Sequence, residues 1–202
     1  MKRLLSIISY VFHPMFISVY AVLLYFFFLT ERYHPYQEVF LVTIQVIILT
    51  ILIPISIFYF LMTLGRANSF MLSEISQRKI PLAVNILLLY ILIRESIRIE
   101  LIPELYYFFF GALVSTVLAL LFVFINLKAS IHMIAISSIT VFAIGFSLHT
   151  QTNHIYLVAF LLLLNGIVAT SRLSMKAHDT KELIVGFLSG VIPQIGLLYF
   201  WL

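Results

Sequence analysis

Apolar positions run through this chain in long unbroken blocks, neither alternating with polar ones nor confined to a helical stripe. The blocks cover 4–30, 39–64, 80–97, 105–127, 131–148, 155–170 and 183–202. A bilayer core of ~30 Å takes about 20 apolar residues as helix, so each block is a candidate span. Continuous runs argue against a barrel, whose strands would alternate lipid-facing and lumen-facing residues. The block 80–97 is the weakest, because Arg94, Glu95 and Arg98 crowd its end. The expectation is therefore an all-α, polytopic membrane bundle of six to seven transmembrane helices. The first run is far longer than the ~7–15 residues of a signal core and lacks a small-residue cleavage site, so it reads as a retained span. Pro54 and the His13-Pro14 pair fall inside spans, where a missing N–H and the proline ring predict kinks. His13 is either a functional imidazole or a neutral one bonded to a nearby carbonyl.

Composition supports the same class. Of 202 residues, 63% are apolar and 10% charged, and the mean hydropathy is +1.14; soluble domains carry about 25% charge. A water-facing surface could not be built from so few polar side chains. With no cysteine, disulfides and thiolate metal sites are excluded. A net charge of +4 without a basic tract gives no footprint for nucleic acid. Tyr33, Tyr36, Tyr106, Tyr107, Tyr199 and Trp201 stand at span ends, as interfacial anchors do. Connections are short, no internal repeat is visible, and residues 1–202 read as one integral membrane domain.

Span parity sorts the loops. One face holds the amino terminus, 65–79, 126–130 and 171–182; the other holds 31–38, 94–104, 149–154 and the carboxyl terminus. Lysine and arginine divide nine to three in favour of the first face. That face gathers Arg78, Lys79, Lys128, Ser130, His132, Arg172, His178, Asp179 and Glu182. Arginine forks match phosphate oxygens, helix amino termini add unpaired N–H groups, and histidine attacks phosphorus or carries protons near neutral pH.

Ser171-Arg172, followed after five residues by His178 and after three more by Glu182, with Gly186 beyond, resembles the third signature of the type 2 phosphatidic acid phosphatase superfamily. Lys128-Ala129-Ser130-Ile131-His132 is similar to its second signature, and Arg78-Lys79-Ile80-Pro81 to a remnant of the first. The resemblance covers about 65–202, leaving two additional amino-terminal spans in 4–64. It implies a lipid phosphate substrate among the membrane lipids and needs neither metal nor cofactor. On that pattern His178 is the nucleophile, Glu182 orients it, and His132 protonates the leaving oxygen. Arg172, Arg78 and Lys128 hold the phosphate, with a hydrogen bond from Ser130. The sequence departs from the pattern at Met71, where the first signature has lysine unless Arg66 or Lys79 substitutes. It departs again at Ala129 and Ile131, in place of proline and glycine, and at Glu182, in place of aspartate.

Other readings stay open on the same residues. Asp179-Thr180-Lys181-Glu182 has the spacing of a capping box, Ser130 that of an N-cap, and Lys128 and Lys181 that of snorkelling anchors. The functional expectation is an integral membrane lipid phosphatase. The alternatives are a catalytically degenerate relative that binds anionic lipid, or a transporter or subunit of a membrane assembly; no protein partner is indicated. The setting implied is a bacterial inner membrane. The nine-to-three count places the polar face in the cytoplasm, whereas bacterial members of the resembling superfamily often act on the outer side.

Overall fold

A computed structural model of the protein describes residues 2–65 and 74–202, and over these it is helical, without strands. Met71 and Arg66, which bear on the first signature, lie outside the described residues. The helices are α1 (Lys2–Val11), α2 (Pro14–Leu24), α3 (Tyr36–Ile47), α4 (Ile53–Thr63), α5 (Lys79–Glu95), α6 (Pro103–Phe124), α7 (Ile131–Thr150), α8 (Ile155–Ser174) and α9 (Thr180–Leu198). Among the described residues five stretches are long and apolar enough to cross a membrane: Tyr36–Thr63, Pro103–Phe124, Ile131–Thr150, Ile155–Ser174 and Thr180–Leu198. The bent pair α1–α2 makes six if it counts as one span. The block expected over 80–97 is α5, a helix of 17 residues. Over the described residues the chain is thus an all-helical integral membrane protein.

The kink expected at His13-Pro14 is a full break. His13 is extended (φ −65°, ψ 140°) and caps α2, whose first residue is Pro14. A residue before proline is pushed out of the helical region, and proline itself has no N–H to continue the ladder. The axes on either side differ by 64°. Pro54 acts more gently. The five residues before α4, Ile48–Leu52, widen into a π turn, which accommodates the ring while Tyr36–Thr63 stays one span.

Helix α7 is the centre of the bundle, packing against α2, α6, α8 and α9 and buried on nearly every side. Its closest neighbour is α9, and glycine makes that approach possible. A Cβ on Gly186 would stand 2.5 Å from the Ser130 carbonyl oxygen, and one on Gly190 would stand 2.3 Å from that of Ile134. Small residues at such a seam let membrane helices meet backbone to backbone. The seam is then sewn by hydroxyls: Ser137 Oγ donates to Phe187 O at 3.1 Å. At its end the Ser130 N–H donates to Glu182 O at 3.1 Å. The first turns of α7 and α9 are thereby held side by side.

Candidate functional site

The start of α9 carries the most ordered piece of chemistry. Asp179 caps the helix, accepting from the Glu182 N–H at 2.8 Å, and Glu182 Oε2 accepts from the Asp179 N–H at 3.4 Å. The capping box is therefore real. The same Oε2 also lies 2.7 Å from His178 Nδ1. A carboxylate only accepts, so Nδ1 carries the hydrogen and the lone pair of the ring sits on Nε2. Glu182 thus closes the cap and orients the histidine at once. Burial, followed by the charges of Arg78, Lys128 and Arg172, lowers the His178 pKa to about 3.

Three cations converge on that histidine from different elements. Arg78, in the turn before α5, is 3% exposed and donates to Ala129 O at 2.9 Å. Burial, with Arg172 adding to it, lowers its pKa to about 10 against the pull of Glu182. Lys128 Nζ donates to Ala177 O at 2.9 Å, and its pKa is lowered by burial and by Arg78. Arg172, in the last turn of α8, is buried and donates to Ser9 Oγ at 3.4 Å. The span-parity grouping is thereby realised as contact: the loops before α5, α7 and α9 touch one another.

Ser130 is the N-cap residue of α7 by position, but its side chain makes no capping bond. Its Oγ is wholly buried and has no hydrogen-bond partner among the described residues. A buried hydroxyl of this kind is rare in folded proteins. It stands at the positive end of a 20-residue helix.

These groups surround one end of a cavity of about 200 Å³, into which Arg78, His132, Arg172 and His178 project. Glu182 stands behind His178, while Ser130 and Lys128 lie beside the cavity and do not line it. His132 Nε2 meets the Ser9 carbonyl at 3.1 Å; since that oxygen only accepts, Nε2 carries the hydrogen and Nδ1 is left for other work. The His132 ring packs edge-on against His13, with centroids 5.2 Å apart.

Two participants come from outside the stretch that resembles a family. His13 lines the cavity. Ser9 hydrogen-bonds Ser171 Oγ at 2.7 Å as well as Arg172 and His132, and Ser171 Oγ in turn donates to Leu5 O. His13 was visible in the sequence as an imidazole in an apolar run. Ser9, a lone serine in such a run, gave no signal. Among the described residues no group of histidine and carboxylate side chains has metal-binding geometry. Comparison with family models, curated proteins and solved structures returns no match.

Proposed function

We propose that this protein is an integral membrane phosphatase for a lipid phosphate or pyrophosphate, working through a histidine nucleophile. One observation carries the reading. His178, with Nδ1 fixed by Glu182 and Nε2 unprotonated, sits among three cations at the polar end of a cavity that continues into the apolar bundle. An anion with an apolar tail matches that combination.

The chemistry follows from the ring nitrogens. Nε2 of His178 attacks phosphorus, and the P–O bond to the lipid breaks. His132, protonated on Nδ1, gives its proton to the departing oxygen. Water then attacks the phosphohistidine, His132 takes a proton from that water, and inorganic phosphate leaves. Charge developing on the phosphoryl oxygens meets Arg78, Arg172 and Lys128, already oriented by their hydrogen bonds to protein. The Ser130 hydroxyl, buried beside the cavity without a partner among the described residues, is the donor assigned to one of those oxygens.

A second reading, an anionic-lipid binder without hydrolysis, draws on the hydrogen bonds that Arg78 and Lys128 already make to backbone carbonyls. Phosphate release from a panel of lipid phosphates, compared between the wild type and His178→Ala, separates the two. The phosphatase reading expects release that the substitution abolishes. No release from any lipid by a folded wild type favours the binder. Equal release by both proteins removes His178 as nucleophile.

A further inference from the structure

Among the described residues two asparagines lie in helices, and they are treated differently. Asn165 is buried in the bundle, and its amide nitrogen donates twice, to Thr140 Oγ1 at 2.7 Å and to Leu161 O at 2.8 Å. Asn85, in α5, lines the cavity and makes no side-chain hydrogen bond to the described residues. Ser18, in α2, lines the same cavity and is likewise without one. A serine or threonine hydroxyl inside a helix commonly donates back to its own helix, as Thr116 does to Ala112 O at 2.8 Å and Ser138 to Ile134 O at 2.8 Å.

These four polar side chains share one level. Asn85 follows Arg78 by seven residues, Ser18 follows His13 by five, Ser138 follows Ser130 by eight, and Thr116 precedes the end of α6 by eight. At about 1.5 Å per residue all stand roughly 8–12 Å below the phosphate-directed groups. Deeper still, the lining includes Leu89 and Phe108. The cavity is thus charged at its mouth, hydrogen-bonding at mid-depth and apolar at its floor.

We infer that Asn85, assisted by Ser18, recognises the ester linkage of a glycerolipid phosphate, so that the site selects ester-linked lipid phosphates over polyprenyl phosphates. The inference rests on the phosphate-binding reading of the mouth. An ester carbonyl lies only a few bonds from the phosphate in a glycerolipid and accepts from an amide N–H. A polyprenyl chain has only hydrocarbon at that depth and leaves the amide unpaired in a medium without water. A site built around such a donor rejects ligands that lack the acceptor.

The test uses the full chain in nanodiscs, carrying His178→Ala so that no lipid is consumed. Binding is measured for dioleoyl phosphatidate, its diether analogue and a polyprenyl phosphate. Phosphatidate is expected to bind about tenfold more tightly than the other two, a difference of one hydrogen bond. Asn85→Leu removes that advantage without weakening polyprenyl phosphate, and Ser18→Ala reduces it in the same direction. Equal affinity for the three lipids, tighter binding of polyprenyl phosphate, or an Asn85→Leu effect shared by all three overturns the inference. If none of the three binds, the phosphate-binding reading falls with it. Selective binding of phosphatidate without turnover by the wild type removes only the catalytic reading.

Discussion

The bundle carries a polar cluster at each end, and the two are built on opposite principles. At the end remote from His178, the buried carboxylate of Glu104 accepts from Tyr25 Oη at 3.1 Å. It also meets Arg32 at 3.4 Å and His149 at 3.9 Å. One carboxylate faces one guanidinium, accepts from one phenol and has one imidazole nearby, each from a different part of the chain. At the His178 end, three cations face Glu182 and Asp179, whose oxygens are already engaged by Nδ1 and the backbone of the α9 cap. Positive charge is in excess there, and the Ser130 hydroxyl has no partner among the described residues. A polar cluster whose partners close on one another braces a fold. One left with surplus positive charge at the end of a cavity fits a ligand.

The comparison breaks first at its two glutamates. Glu182→Gln removes the charge that holds the Nδ1–H, and phosphate release should fall by about 10²–10⁴-fold, the usual worth of oriented proton chemistry. Glu104→Gln should leave turnover per folded molecule unchanged. It should lower thermal stability in detergent by about 1–3 kcal/mol as the charge-assisted bonds to Arg32 and Tyr25 weaken. Equal losses of turnover in both variants would erase the distinction between brace and site.

Ser130→Ala sharpens it at smaller scale. A serine that caps a helix costs about 0.5–2 kcal/mol when it is removed. Here the hydroxyl caps nothing, so the melting temperature should hold while kcat/KM falls about tenfold. A lower melting temperature with unchanged kinetics would return Ser130 to a structural role.

The smallest expected effect is in the pH profile. Because the His178 pKa is lowered to about 3, the neutral, nucleophilic ring persists through the range where an ordinary histidine titrates. Turnover should therefore lose nothing to this residue between pH 8 and pH 5. Stability runs the other way on the acid side. Below about pH 6.5 the unfolded chain binds a proton at His178 that the folded chain refuses, so stability falls as pH drops from there towards 3. Loss of turnover centred on pH 6.5 and reporting on His178 would contradict this environment.

Much of the site end was legible because polar residues stand out against an apolar background and short loops fix their side of the membrane. Arg78, Ser130, His132, Arg172, His178 and Glu182 could be grouped by counting spans, and they do meet. The amino-terminal contribution was not legible in the same way. The His13-Pro14 pair marks a break, but the 64° turn that lays α1 against α8 depends on tertiary packing, and no periodicity encodes it. Ser9 acquires its three partners only through that turn. Glu104 was visible as a loop acid next to Pro103, yet its burial follows from Tyr25, Arg32 and His149 arriving from distant positions. Asn85 sat in the block already marked as the weakest span, and only the cavity gives it a role.

The central claim, that His178 Nε2 is the atom which takes the phosphoryl group, is tested most directly by trapping that intermediate. Phosphohistidine survives alkaline quenching, so the protein can be mixed with a turned-over lipid phosphate, quenched and mapped by mass spectrometry. The account predicts a phosphoryl group on His178 that is absent from the His178→Ala protein. Sustained phosphate release with no modification at His178, or a phosphoryl group found on His132 instead, would contradict it.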